Sequence, residues 1–378
     1  MPLAVRVSRR RTGRFVRSFW AQEVWSGMAS KHYGERPNIR AVDLFCGAGG
    51  MTHGLIRSGI DVVAGFDLDP NCRYPYESNN SADFVEADIK EIRAQDITRI
   101  LSGADFSLLA GCPPCQPFST YSRSTRSRSN ADDWKLVMTF GEVARQVQPD
   151  FVVMENVPQL ARHEVFEQFL SSLDGYEVAW EIVDAVNWGV PQRRKRLVVL
   201  ATKVGGSPIE LRRGEGGPVT VREAISGLKP IEAGGRDLDD PLHSAPNLSK
   251  RNLERIKHSR PGGTWRDWPS ELQSSCHRKV SGATYPSVYG RMLWDSPSPT
   301  ITTQCFGYGN GRFGHPIQNR AISLREAALL QTFPHDYKFV EPEGRVRFNV
   351  LGRLIGNAVP VRLAEAIGKS VKSHISHL

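Results

Sequence analysis

The chain has 378 residues, 40% hydrophobic and 24% charged, the balance of an ordinary soluble globular protein, and it exceeds the size at which one core keeps growing, so two domains are expected. No apolar run approaches the roughly 18 residues a membrane span needs; the best, 151–154 and 197–201, are strand-sized. Six cysteines in such a length, with no secretory segment at the start, exclude a disulfide scaffold and point to thiols in a reducing cytoplasm.

The formal charge of +9 is uneven. Residues 1–40 carry +7, residues 41–200 carry −7, residues 201–320 carry +6 and residues 321–378 carry +3. A polyanion would therefore meet mainly the second half of the chain. Residues 1–38 read as a basic appendage, with Arg9, Arg10, Arg11, Arg14 and Arg17 close together. A transit peptide, a nucleic-acid arm, a flexible tail and an early start codon with Met28 as the true first residue are the readings of that composition; the flexible tail and the early start are favoured.

From Arg40 onward β-rich runs alternate with helical patterns, which predicts a doubly wound parallel sheet covered on both faces. Strands are expected at 41–45, 62–66, 83–85, 106–110, 151–155, 177–184 and 196–201, with helices starting near Met51, Pro70, Lys90, Trp134 and Pro158. Between the fourth strand and the next helix, residues 119–130 are almost free of apolar side chains and read as a mobile loop. After Lys203 the texture turns glycine- and proline-rich to about Pro316, where a second, smaller and irregular β-rich domain is placed. Helical pattern returns at 323–333, where Ser323 and Glu326 form a capping box, and again after Pro360. The resulting division is a tail (1–38), a first domain part (39–204), a second domain (205–318) and a returning part of the first (319–378).

Chemistry concentrates where the expected strands end. The run from Asp43 to Met51 (DLFCGAGGM) is a strand entering a glycine-rich turn and a helix, which lets the backbone approach a ligand. Asp67, twenty residues after Gly47, is placed for ribose hydroxyls, and Asp88 for an adenine amino group. The glycine spacing is G-x-G-G and not the G-x-G-x-x-G of nicotinamide enzymes. Cys112 and Cys115 follow the fourth strand, where a thiol of lowered pKa is well placed as a nucleophile; a redox C-x-x-C pair and a zinc site are the rival readings. Glu155 ends the fifth strand, where burial raises a carboxyl pKa and suits a proton donor, and Asn156 stands as a helix cap before Pro158. In Gln192-Arg193-Arg194-Lys195-Arg196, alternation puts Gln192, Arg194 and Arg196 on one face, able to hold a phosphate or a base carbonyl.

Taken in order, DLFCGAGG, PPCQPFS, ENV, QRRKR, SLREAALLQTFP and GNAVP resemble the DNA cytosine-5 methyltransferase family, over about residues 41–201 and 321–369. The resemblance implies a Rossmann-like fold using S-adenosyl-L-methionine, with Phe45, Gly47, Gly49, Gly50, Asp67, Leu68, Asp88, Ile89 and Asn357 around the cofactor. It implies Cys115 as nucleophile, Glu155 as acid, and Arg194 and Arg196 as anchors of a base flipped out of the duplex. Gln116, Ser119, Arg123, Arg126, Gln192 and Thr300 would touch DNA, the last in a stretch (SPTIT, then Gly307, Gly309, Gly311 and Gly314) similar to the family's target-recognition region. Leu68 departs from the family, which often has an aromatic residue there, and the proline-containing stretch after Cys115 leaves the loop length open. Double-stranded DNA is the implied partner, with a cognate restriction endonuclease acting separately in a restriction–modification pairing. A monomer in the cytoplasm, associated with the nucleoid, is expected, and no metal. An RNA cytosine methyltransferase, a non-catalytic regulator and a nicotinamide oxidoreductase are the competing classes; the long basic segment after residue 205, the intact Cys115, Glu155 and Arg196, and the glycine spacing respectively disfavour them.

Overall fold

The computed structural model describes residues 37–114, 130–214, 217–279 and 285–377. The expected tail, except for its last two residues, and the expected loop at 119–130, except for Asn130, which begins a helix, lie outside them. One seven-stranded sheet organises the fold: β1 (Ile39–Leu44), β2 (Asp61–Asp67), β3 (Asp83–Glu86), β4 (Phe106–Gly111), β5 (Phe151–Asn156), β6 (Glu177–Asp184) and β7 (Lys195–Thr202), in the order β3-β2-β1-β4-β5-β7-β6. Between strands run α1 (Gly50–Arg57), α2 (Arg73–Glu77), α3 (Ala94–Leu101), α4 (Asn130–Val147) and α5 (Glu164–Ser172). Pro70 and Pro158 each open a 3₁₀ turn, where the missing N–H costs nothing.

The sheet is not wholly parallel, as the alternating pattern had implied. β7 pairs antiparallel with both β5 and β6. The reason is length: β6 ends at Asp184 and β7 begins at Lys195, too few residues for a crossover that would bring the chain back in the same direction. Strand alternation divides the sheet's side chains between two cores. Ala41, Leu108, Phe151, Val153 and Val198 face the side of α1 and the C-terminal helix, while Val42, Leu44, Leu109, Val152, Met154 and Leu197 face α3, α4 and α5. Strand order reverses between β1 and β4, which opens a crevice beyond the carboxyl ends of β1, β2, β4 and β5.

The remaining helices are α6 (Val221–Ile225), α7 (Lys250–Lys257), α8 (Leu324–Leu330), α9 (Phe348–Asn357) and α10 (Val361–Ile375). The segment 205–318 is irregular as expected, but it is not β-rich: its described residues form only isolated bridges such as Pro261↔Arg291 and Arg291↔Gly314. Dense glycine and proline interrupt any ladder there. Nor is its apolar content set apart, since Ile209, Val221, Leu242, Met292 and Phe313 join the same core as α8 and α10. Order comes from guanidinium groups. Buried Arg291 donates to the carbonyls of Ser259 (2.8 Å), Ile256 (2.9 Å) and His315 (2.8 Å).

Where the chain returns at α8, the capping box forms: Glu326 N–H donates to Ser323 Oγ (3.1 Å) and Ser323 N–H to Glu326 Oε2 (2.7 Å). The same carboxylate takes both terminal nitrogens of Arg320 at 2.7 Å, with the two side chains 0% and 1% exposed. Those bonds hold Glu326 ionised against the cost of its burial. Among the described residues no helix is long and apolar enough to cross a membrane. Removing one partner of a buried, doubly bonded pair strands the other charge, so Glu326→Ala should cost about 3–5 kcal/mol in urea unfolding. A loss below about 1 kcal/mol would show that the pair is not what anchors α8.

Candidate active site

The glycine turn after β1 runs through the left-handed region of the backbone. Phe45 (φ 61°), Gly47 (φ 54°) and Gly49 (φ 88°) all lie at positive φ. A Cβ on Gly47 would meet nothing within 4 Å, so this residue presents bare backbone to open space. The other two glycines serve packing. A Cβ on Gly49 would strike Asn80 and Tyr337 at 2.7 and 2.8 Å, and one on Gly50 the Val359 carbonyl at 2.4 Å. Gly50, expected beside a cofactor, also makes room for the returning GNAVP turn.

The turn is also braced from behind by residues the sequence did not announce. Tyr337 donates its hydroxyl to the Ala48 carbonyl (2.6 Å) and receives Asn80 Nδ2 (3.2 Å). Thr52 donates to buried Asp43 (2.7 Å) and shares a hydrogen bond with Tyr76 (3.1 Å). Asp43 Oδ1 has no hydrogen-bond partner, and burial raises its carboxyl to about 7. Tyr337 lies far along the chain and carries no spacing signal relative to the turn; only its place just after the SLREAALLQTFP motif hinted at a role.

Asp67 ends β2 at the crevice. Its Oδ2 accepts from Gly47 N–H (2.9 Å) and its Oδ1 from Asp69 N–H (2.9 Å), while desolvation raises its pKa. Each oxygen keeps acceptor capacity for a hydroxyl. Next to it Leu68 is 65% exposed, an apolar side chain left in the open. Asp88 caps the following 3₁₀ turn by accepting from Lys90 N–H (3.0 Å), and Ile89 is buried beneath. Asn357 stands exposed at the end of α9. That helix is tied to the turn after β2 by Arg353 and Asp69 (2.6 Å). Carboxylate, open apolar side chain and bare glycine backbone at one crevice are the donor set an adenosyl group needs, and the residues fit it.

The second half of the crevice is acidic and cationic at once. Glu155, on β5 two strands from the glycine turn, is 6% exposed. Arg196 Nε stands 2.8 Å from its Oε1 as a close, buried ion pair. Burial raises the Glu155 pKa; the nearby charges of Arg196 and Arg194 oppose the shift without cancelling it. Cys112, between the strands, has its thiol pushed far above the usual range by burial and by the Glu155 charge, so it is a poor nucleophile. Asn156 is not the expected helix cap. Its Nδ2 donates to the Pro113 carbonyl (2.9 Å), pinning the chain two residues before Cys115. Cys115, Gln116, Ser119, Arg123 and Arg126 lie outside the described residues.

Arg194 and Gln192 do not join Arg196 at the crevice, because neither belongs to β7 and the expected strand alternation does not reach them. Arg194 is 2% exposed and donates to the carbonyls of Ile301 (2.8 Å), Gly356 (2.9 Å) and Ala358 (3.2 Å). Gln192 accepts from Ile301 N–H (2.8 Å) and donates to Gln331 Oε1 (2.8 Å). Thr300 donates to the Arg193 carbonyl (2.7 Å). The side chains of Gln192 and Arg194 are thus spent on internal contacts with 301, Gln331 and the α9 terminus.

Asp43 gives a test of the brace. A carboxyl whose folded pKa is raised stabilises the fold below its unfolded pKa of about 3.9, and this contribution is lost as pH rises through about 7. Asp43→Asn should therefore flatten the fall in Tm between about pH 4 and 8, measured by calorimetry. An unchanged slope would mean the group ionises without penalty.

Residues 39–373 match the family described as C-5 cytosine-specific DNA methylase. The chain is 48% identical over 350 residues to the Type II methylase M.HgiDII of Herpetosiphon aurantiacus, covering 89% of this chain and 96% of that protein. It is 31% identical to the Type II methyltransferase M1.HphI of Haemophilus parahaemolyticus, covering 88% and 87%. Among solved structures, a candidate DNA modification methyltransferase encoded within an E. coli prophage superposes with a TM-score of 0.68 at 22% identity, covering 90% of this chain and all of that one.

Proposed function

This chain belongs to the C-5 cytosine-specific DNA methylase family, and from that membership we propose that it moves a methyl group from S-adenosyl-L-methionine to carbon 5 of a cytosine rotated out of a specific duplex sequence. The observation that carries the reading is Glu155: a buried carboxyl of raised pKa, paired with Arg196, in the same crevice as the open glycine turn.

S-adenosyl-L-methionine supplies an electrophilic methyl group when bound, and Phe45, Gly47, Gly49, Gly50, Asp67, Leu68, Asp88, Ile89 and Asn357 are the residues that would hold it. Carbon 5 of cytosine is too weak a nucleophile unaided. Addition of the Cys115 thiolate at carbon 6 converts the ring to an enamine, while Glu155 donates its proton to ring nitrogen 3 and so disperses the developing charge. Once carbon 5 carries the methyl group, loss of its proton, departure of the Cys115 thiolate and return of the nitrogen 3 proton to Glu155 restore the aromatic ring. Arg196 keeps the carboxyl in place and balances it once the proton has left. Rotation of the base costs a few kcal/mol, which contacts to the phosphates offset.

Target recognition is assigned to residues 205–318, with Thr300, Gln116, Ser119, Arg123 and Arg126 as DNA contacts. The Type II names of the relatives support a restriction–modification setting with a separate endonuclease, and a monomeric, cytoplasmic enzyme agrees with it. Residues 1–38 are assigned no part in the chemistry.

Two measurements test the mechanism. Duplex DNA carrying 5-fluorocytosine at the target should trap the protein covalently, because fluorine cannot leave as the proton does. Cys115→Ser should abolish both trapping and turnover, while Cys112→Ser keeps both; the opposite result would move the nucleophile to Cys112. Glu155→Ala should slow single-turnover methylation by about 10²–10⁴-fold. Since the protonated carboxyl is the donor, the wild-type rate should fall as pH rises through its raised pKa. Glu155→Gln should lack that alkaline limb, and a limb that persists in it would assign the titration to another group.

A further inference from the structure

Arg194 is in an unusual position for a charge. It is almost wholly buried, its Nε has no hydrogen-bond partner, and no carboxylate among the described residues lies within ion-pair distance. A buried guanidinium without a counter-ion is costly and persists only where several acceptors converge on it. Here the acceptors come from two separate stretches of chain. The Ile301 carbonyl follows Thr300, on the side assigned to DNA, and the Gly356 and Ala358 carbonyls flank Asn357, on the side assigned to the cofactor.

Neighbouring contacts make the junction stiff. Gln192 holds the Ile301 N–H while bonding Gln331, and Gln331 in turn donates to the carbonyls of Ile355 (2.8 Å) and Ala358 (3.2 Å). Backbone packing closes the gap: a Cβ on Gly356 would meet Thr302 at 2.4 Å, and one on Gly352 the Thr303 carbonyl at 2.8 Å. At the end of α9 the free carbonyls also carry the negative end of the helix dipole, which a cation neutralises. Two residues further along the chain, Arg196 faces Glu155.

We propose that Arg194 is a positioning residue that couples the two ligand sites, so that seating 300–301 on DNA fixes Asn357 over the cofactor, and the reverse. Displacing either stretch would leave the guanidinium short of acceptors, which makes one arrangement of both stretches strongly preferred over any mixed one. The inference rests on the functional reading given above for Asn357 and Thr300. Such coupling must be reciprocal: whatever factor DNA adds to cofactor affinity, the cofactor adds to DNA affinity.

The test measures S-adenosyl-L-homocysteine binding by calorimetry, with and without a saturating duplex containing the target sequence. In the wild type the duplex should tighten binding about 5–150-fold. Arg194→Lys keeps the charge but cannot reach three carbonyls at once, and its ratio should fall to within about twofold of unity. Thr300→Val, which loosens 300–301 from Arg193 without touching the buried charge, should lower the ratio part of the way; it decides the matter if Arg194→Lys does not fold. A role confined to stability would lower Tm and leave both ratios at the wild-type value, and that result overturns the proposal. So does a wild type that binds both ligands independently. A wild type that binds neither ligand would instead overturn the functional reading itself.

Discussion

Guanidinium groups bonded to backbone carbonyls hold together the part of this protein that has no regular ladder. Arg194 fastens 301 to 356–358, Arg291 gathers 256, 259 and 315, and Arg320 fixes the start of α8 through Glu326. A planar fork with five donors can satisfy several carbonyls that arrive from different directions, which no aliphatic side chain can do. Irregular chain leaves many carbonyls without partners, and each buried one would otherwise be expensive. An arginine at the centre of a loop cluster therefore does for 205–318 what interstrand hydrogen bonding does for the sheet. The cost is that net charge accumulates inside this half of the molecule, since several of these groups face carbonyls and not carboxylates.

The cofactor crevice shows the same dependence on remote chain. Phe45 is a strained residue at positive φ, and Gly47 and Gly49 are positions whose left-handed backbone is one of several open to glycine. The turn is kept in place by Asp67 in front, Tyr337 and Asn80 behind, and the Val359 carbonyl against Gly50. Two of these supports come from the last fifty residues. The glycine motif thus depends for its shape on the docked C-terminal segment, with Gly54 packed on Ala364 where α1 meets α10.

Much of the fold was legible because it rests on short-range pattern. Every expected strand formed within one or two residues, since β-branched and apolar runs punctuated by glycine, proline and acids are a local signal. The reversal of β7 was not read, although the short span from 184 to 195 contained the reason for it. α9 was missed as well: FNVLGRLIGN carries two glycines, and its helix is stabilised by packing of Gly352 and Gly356 on 302–306, which no local propensity reveals. In the site, Asp67 and Glu155 were found from their places at strand ends. The inward course of Arg194 was not, because strand alternation was extended past the true start of β7, and the carbonyls that claim it lie more than a hundred residues away.

That separation of the two arginines clarifies how one carboxyl can serve as an acid. Had both guanidinium groups faced Glu155 directly, their combined field would have held it ionised, as Arg320 and Ser323 hold Glu326. With Arg194 bonded to carbonyls, Glu155 keeps one directly paired cation and a second at longer range, and desolvation outweighs both. The two buried glutamates therefore differ in how many donors reach the charged form and not in burial: Glu326 accepts two bonds from Arg320 and one from the Ser323 N–H, whereas Glu155 has the Arg196 Nε alone, at 2.8 Å. The first is a structural anion. The second is shifted toward its protonated form, and a planar base stacked into the crevice would exclude further water and strengthen that shift.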